Sequence, residues 1–422
     1  MRIIYKILLL FAAAGSVAWQ FLPQDGPVHV PDIHNQTLTN EMSHIEGLEG
    51  LDANMEGFLR QWNIHGASLA IMRNDSLVYA KGYGQADNGG VAVGPSTIFR
   101  LASVSKLITA IGIMVLQERG QLSLSDKVFT PNGGILGNEP YTGYISDRRY
   151  FDITVEHLLR HSAGLSSSSG DPMFSTRTLM RRYGWTTPPD AATLSRHALS
   201  LRLQFDPGTS SSYSNYGYLL LSMIIEKVTG QPYEQWIHEN VLLPAGCYDM
   251  HLGGNSYEAK YPNETRYFPM RNEAKVSKYD NTPVMVERCY GGNDITALKG
   301  AGAWVASAPE VARLVASIDG RLQVPDILSA GSIADMTAPT DSVTYALGWI
   351  DTKETGEWTR TGTLSGTSAL IKYYPDGECW IMITNTSTYR AARFTNDIAA
   401  LFAKSREEFS PLLPKRNLFY AE

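Results

Sequence analysis

Phe99-Arg100-Leu101-Ala102-Ser103-Val104-Ser105-Lys106 runs directly into Leu107-Ile108-Thr109-Ala110-Ile111-Gly112-Ile113-Met114-Val115-Leu116. The second stretch is apolar and long enough for three helical turns. A helix turns once per 3.6 residues, so Ser103 and Lys106 fall on one face. A lysine amine beside a serine hydroxyl is one way to make that hydroxyl a nucleophile without histidine. Burial at the start of an apolar helix disfavours the charged amine, and the positive potential of the helix N-terminus acts in the same direction. The competing reading is a serine N-cap followed by a solvated lysine. Two features weigh against it. Lys106 is the one lysine of the chain with serine three positions before it, and both flanks are apolar.

Outward from this point, the composition is that of an ordinary globular protein: 422 residues, 43% hydrophobic and 18% charged. The formal net charge is -6 and no basic run occurs, which argues against nucleic-acid binding. Met1 to Lys6 is a short basic segment and Ile7 to Ala18 an apolar one, with Ser16-Val17-Ala18 as a small-x-small cleavage site. Residues 1–22 therefore read as a signal peptide or N-terminal anchor, which places the body outside the cytoplasm, periplasmic or secreted. Membrane contact is expected only if that segment stays uncleaved. Residues 23–41 read as a linker rich in proline and glycine. Cys247, Cys289 and Cys379 lack metal-ligand spacing and read as buried small hydrophobes, with room for one disulfide at most.

Apolar residues at helical spacing predict a helix over Met42 to Trp62. Ala67 to Met72 and Asp75 to Gly84 read as two strands around a turn at Asn74-Asp75. The middle of the chain is rich in helical patterns, including a short helix from Val155 to Leu159 and a long one from Tyr218 to Val228 stopped by Gly230. Strand patterns return at Tyr345–Trp349, Glu357–Arg360, Ser368–Tyr374 and Cys379–Asn385, with a turn at Pro375-Asp376-Gly377. A closing helix is expected from about Ala391 to Lys404. The fold class is thus α+β. Strands from both chain ends (about 42–102 and 290–405) make one antiparallel sheet flanked by helices, a mostly helical lobe (about 103–289) is inserted, and residues 406–422 form a tail. A cleft between sheet and lobe is the natural ligand site.

Two further triplets suit that cleft. Tyr213-Ser214-Asn215 ends a polar loop just before the Tyr218 helix. A phenol near a lysine can relay a proton, and an asparagine amide can hold both the lysine and a substrate carbonyl. Tyr261-Pro262-Asn263 and Tyr279-Asp280-Asn281 share the spacing but lie in long polar segments. Arg360-Thr361-Gly362 lies on an expected strand, where an edge can turn backbone N–H groups and one cation toward an acyl substrate.

Ser-x-x-Lys, Tyr-x-Asn and a basic residue followed by Thr-Gly, in that order, resemble the serine β-lactamase and penicillin-binding protein superfamily. The branch it is most similar to holds class C β-lactamases, D-alanyl-D-alanine carboxypeptidases and related esterases. Residues 99–106, 153–165 and 224–230 look like that branch as well. The resemblance implies a β-lactamase/transpeptidase-like fold over residues 42–405. It implies Ser103 as the acylated nucleophile, Lys106 and Tyr213 sharing base and acid work, and Asn215 orienting Lys106 and the substrate. It also implies an oxyanion hole from the backbone N–H groups of Ser103 and Thr363, and Arg360, Thr361 and Gly362 as substrate-binding residues. No cofactor and no metal is called for.

The branch usually has lysine or histidine where this chain has Arg360. Arginine is permanently charged and grips carboxylates in two-point fashion. Pointing into the cleft, it favours a small-molecule or peptide substrate with a free carboxylate, a D-Ala-terminated peptide or a β-lactam. Pointing away, it leaves a neutral ester or amide equally suited. A D-Ala-D-Ala carboxypeptidase or β-lactamase-type hydrolase is therefore the leading expectation. A carboxylesterase and a penicillin-binding sensor without turnover are the alternatives. A Ser-His-Asp hydrolase is disfavoured, because no Gly-x-Ser-x-Gly elbow occurs and no histidine follows His251. His157 and His161 have zinc-ligand spacing but lack the adjoining glutamate, and read as structural.

Overall fold

The computed structural model describes residues 37–165, 170–339 and 345–420. The expected signal segment (1–22) and most of the expected linker lie outside the described residues. Helix α1 (Glu49–Trp62) precedes β1 (Gly66–Arg73) and β2 (Ser76–Gly84). The helix starts later than the expected Met42, because Gly47 takes a φ of 87° and Asn40–Ser43 is a separate 3-10 turn. Asn74 and Asp75, with φ of 47° and 60°, make the expected tight turn between the strands. Then come β3 (Phe99–Arg100), α2 (Ser105–Glu118), α3 (Val155–Leu159), α4 (Thr176–Tyr183), α5 (Ala191–Leu199), α6 (Asn215–Thr229) and α7 (Tyr233–Ile237). The long helix α6 ends at Gly230, whose φ of 71° caps it.

Short strands β4 (His251–Leu252), β5 (Val276–Ser277), β6 (Met285–Val286) and β7 (Trp304–Ala306) lead to α8 (Ala308–Ala316). The chain closes with β8 (Asp351–Thr352), β9 (Trp358–Leu364), β10 (Thr367–Tyr373), β11 (Glu378–Thr384) and α9 (Phe394–Phe409). The main sheet runs β2-β1-β11-β10-β9-β8, every neighbouring pair antiparallel. Strands from the two chain ends meet at β1 and β11, with Ala70 opposite Ile381.

Alternation places the two faces of this sheet in separate cores. Leu69, Ile71, Trp380 and Met382 face Leu51, Met55, Phe58, Phe394 and Phe402 of α1 and α9. Ala70, Met72, Ile381 and Ile383 belong to the larger core with α2, α6 and α8. A second small sheet, β3-β7-β4, supports the turn that carries Ser103. Tyr345–Trp349 is not a strand, contrary to expectation. Gly348 has a φ of 86° and its Cα lies so close to Ala110 of α2 that a Cβ would come within 2.6 Å, and the pairing starts only at Asp351. Residues expected as a tail are packed: Leu413, Leu418 and Phe419 are buried and Arg416 Nε donates to the Val78 carbonyl. All three cysteines are buried free thiols. Among the described residues, no helix is long and apolar enough to cross a membrane.

Candidate active site

The chain leaves β3 and enters α2 through a 3-10 turn, Ala102–Val104, in which Ala102 has a φ of 48°. That is an unfavoured conformation for a residue with a Cβ, and such strain recurs at functional turns. It presents Ser103, half-buried, at the wall of a cleft of about 340 Å³. Trp304 N–H of β7 donates to Ser105 Oγ at 3.1 Å and fixes the turn from behind.

Lys106 is fully buried one turn on. Its Nζ lies 3.2 Å from Ser103 Oγ, 2.7 Å from Asn215 Oδ1 and 2.5 Å from the Ala301 carbonyl. Burial pulls the amine below its usual range, against the pull of Tyr213 and with the push of Arg360. The Ala301 carbonyl reaches Lys106 from a turn in which Lys299 has a φ of 41°. Gly300 fits there because a Cβ would come within 2.3 Å of Thr109 Oγ1.

Tyr213 sits two residues before α6, whose N-cap Ser214 accepts from Gly217 N–H. Its ring lies 4.9 Å from Lys106 Nζ, centroid to nitrogen, and its hydroxyl is near enough to Lys106 and Ser103 for their groups to act on its proton. Burial alone would raise this phenol; Lys106 and Arg360 oppose it, and the net direction is down. Beside Ser103, a lysine and a tyrosine are both shifted downward, toward neutral pH. The other two Tyr-x-Asn triplets lie elsewhere. Tyr261 stacks on His251 and Tyr279 receives a hydrogen bond from Asn255; neither lines the cleft.

Ser103, Tyr213, Asn215, Thr361, Gly362 and Thr363 all line the cleft. β9 lies so close to the Ser103 turn that a Cβ on Gly362 would come within 2.2 Å of the Leu101 carbonyl and 3.0 Å of Ser103 N. Beyond Thr359, β9 has no pairing with β8, so its Arg360–Leu364 edge is turned to the cleft. Arg360 itself does not line it. The side chain is fully buried, and Nε and Nη2 both donate to the Ser103 carbonyl, the former at 2.8 Å. The two-point grip expected for a substrate carboxylate is spent on the backbone of Ser103, which corrects its assignment as a substrate contact.

One residue escaped the sequence reading. Asp171 Oδ2 accepts from Asn215 Nδ2 at 2.7 Å, which fixes the amide so that its oxygen faces Lys106. It sits in an irregular loop with no spacing signal to mark it. His161, read as structural, is buried with its ring 4.4 Å from that of Tyr213, and Nδ1 accepts from Ser214 N–H. Burial, aided by Lys106 and Arg360, drives its imidazole well down, so the ring is a neutral wall for Tyr213. His157 is a helix-cap partner of Thr154 instead, so the two histidines share no ligand point.

Comparison with known proteins agrees with this geometry. A family model described as Beta-lactamase matches residues 51–404, and the chain belongs to that family. Among curated relatives, a putative penicillin-binding protein PbpX of Bacillus subtilis (strain 168) is 27% identical over 347 residues, covering 80% of this chain and 75% of the relative. Among solved structures, D-amino acid amidase from Ochrobactrum anthropi SV3 superposes with a TM-score of 0.63 at 20% identity, over 86% of this chain and 99% of that one. EstCE1, a hydrolase with promiscuous acyltransferase activity, gives 0.62 at 19% identity, over 84% and 98%. At these identities the structural likeness speaks to the fold.

Proposed function

We propose that this protein is a serine hydrolase that forms an acyl-enzyme on Ser103 and acts on neutral esters or amides. Ser103 Oγ gives its proton to the Lys106–Tyr213 pair as it bonds to the substrate carbonyl carbon. The carbonyl electron pair moves to oxygen, where the backbone N–H groups of Ser103 and Thr363 receive it. Collapse expels the alcohol or amine, which takes the proton back from the pair. Water then repeats the sequence on the ester and frees Ser103. Asn215, held by Asp171, keeps Lys106 aimed at Ser103.

The observation that carries the neutral-substrate reading is the position of Arg360, buried on the Ser103 carbonyl. Among the described residues, the cleft is lined by Phe174, Leu298, Tyr345, Ile350, Leu364 and polar neutral groups, with no charged side chain. The adjoining depression holds Arg288, whose Nε donates to Glu273 at 2.8 Å. A D-Ala carboxypeptidase or β-lactamase reading would call for a free cation for the substrate carboxylate, and the described residues lining the cleft offer none.

The test is a matched set of substrates with wild type and Ser103→Ala: a chromogenic acetate ester, a D-amino acid amide, a labelled penicillin and a D-Ala-D-Ala peptide. Mass spectrometry of the intact protein should locate the acyl group on Ser103, and kcat/KM should favour the ester and amide. Turnover that survives Ser103→Ala sinks the mechanism. A preference for the two carboxylate-bearing substrates sinks the specificity.

A further inference from the structure

Outside the cleft, one group of side chains has metal-ligand chemistry that hydrolysis does not use. Glu234 lies on α7, which continues without a break into a π turn, His238–Leu242. Such turns inside helices recur at functional sites. His251 opens β4 opposite Val305 of β7. One ligand atom from each of Glu234, His238 and His251 lies within 4.8 Å of the others, and all three residues are half-buried. None lines the cleft of Ser103.

The surroundings orient each ligand. His251 Nε2 lies 3.0 Å from Asp249 Oδ1, and Asp249 is itself held through Oδ2 by Asn263 Nδ2 at 2.7 Å. The His238 ring lies 5.6 Å from the His251 ring and 5.7 Å from the Trp304 ring, centroid to centroid. With His251 Nε2 donating to Asp249, its Nδ1 keeps a lone pair for a ligand bond. That is how metal-bound histidines are held. Glu234 Oε1 accepts from Leu252 N–H at 2.8 Å, which pins the carboxylate and leaves its other oxygen for a ligand bond. Tyr261 stacks on His251 with ring centroids 4.6 Å apart and fixes that ring's plane.

We propose that Glu234, His238 and His251 bind one divalent transition-metal ion, zinc, at a site separate from the hydrolytic centre. Two imidazoles and one carboxylate suit zinc and not magnesium or calcium. Zinc bonds of about 2.0–2.2 Å place tetrahedral ligand atoms about 3.4 Å apart, so capture needs side-chain movements of about 1 Å. Water would supply the fourth ligand. The ion would join α7 to β4, hence to the small sheet whose β3 runs into the Ser103 turn. Its first effect is therefore on stability.

The experiment uses the full chain without a polyhistidine tag, stripped with chelator. It is titrated calorimetrically with zinc chloride and, separately, with magnesium chloride; melting is recorded with and without zinc. One zinc per chain, no magnesium uptake and a raised melting temperature are expected. Affinity should fall about a hundredfold or more in His238→Ala and His251→Ala, and about tenfold or more in Glu234→Gln. Ester hydrolysis by these variants reports that they have folded. Absence of zinc uptake by wild type overturns the proposal. So does uptake that persists at full stoichiometry and affinity in folded His238→Ala or His251→Ala.

Discussion

Arg360 and Ser103, 257 positions apart, are joined through the Ser103 carbonyl oxygen, which accepts from both Nε and Nη2 of the buried guanidinium. A cation on that carbonyl polarises the peptide unit of the nucleophile turn and locks its orientation. It also lies near enough to Lys106 and Tyr213 to bias their proton. Arg360 thus acts through the backbone and the electrostatics of the pair.

Arg360→Ala should therefore slow neutral and carboxylate-bearing substrates by the same factor, with KM little changed. Removing a charged donor from a buried carbonyl should also cost about 2–3 kcal/mol of stability. Denaturant melts and steady-state rates on both substrate classes measure this. A selective loss on carboxylates would return Arg360 to the role of substrate anchor.

In the proposed mechanism the Lys106–Tyr213 pair sets the acid side of the rate profile. Burial lowers Lys106, and the cations around Tyr213 outweigh the burial that would raise it. The base must be deprotonated to act, so kcat/KM should rise with pH along a limb below the ordinary lysine and tyrosine range. Tyr213→Phe should lower the plateau about 10²–10⁴-fold. Lys106→Arg, charged at every accessible pH, should do at least as much. A pH-independent rate in either variant at the wild-type level would remove the pair from the mechanism.

Asp171 is a positioning residue with two separable effects. Its charge holds the Lys106 pKa up, and its oxygen holds the Asn215 amide. Asp171→Asn keeps an acceptor and loses the charge, so the acid limb should move to lower pH with the plateau nearly kept. Asp171→Ala also frees the amide and should lower kcat about tenfold. Equal profiles for the two variants would reduce Asp171 to loop structure.

Gly362 is required by contact and not by dihedral freedom. A Cβ there would sit 2.2 Å from the Leu101 carbonyl and 3.0 Å from Ser103 N and Val104 N. Backbone must move on both sides, so Gly362→Ala should lose about 10²-fold or more in kcat through a displaced nucleophile. Binding of a neutral product analogue, read by calorimetry, should weaken far less.

Away from the cleft, Asp319 is buried against Tyr373, whose hydroxyl donates to Oδ2 at 2.9 Å. Burial, with the Asp75 carboxylate next to it, pushes its carboxyl up to about 7. The folded state then holds a proton that the unfolded chain releases near pH 4. The stability this contributes is complete below about pH 4 and is lost as pH rises toward 7. Melting temperatures of wild type should fall relative to Asp319→Asn across that window and run parallel above it. Parallel curves throughout would place the proton elsewhere.

The two-ended antiparallel sheet, the tight turn at Asn74-Asp75, the buried helix α2 and the Gly230 stop were legible because each is written in short-range periodicity or turn chemistry. Tyr345–Trp349 misled because aromatic and aliphatic residues that pack on α2 carry the same pattern as a strand. Within the site, Ser103 and Lys106 were legible from one helical turn. Tyr213 and Asn215 were legible only through their order along the chain and the likeness it carries. Asp171 was invisible, and Arg360 was found but its direction was not.

Local spacing, then, determined which segments could pair or coil, and that a serine and a lysine would share a helix face. Tertiary structure alone decided what Lys106, Asn215 and Ser103 touch across 195, 44 and 257 positions, at Ala301, Asp171 and Arg360. The reason is physical. Periodicity encodes which face of an element is buried, whereas the partner of a buried polar group depends on which distant surface arrives to cover it. In this protein the arriving surface set the Arg360 guanidinium on the Ser103 carbonyl.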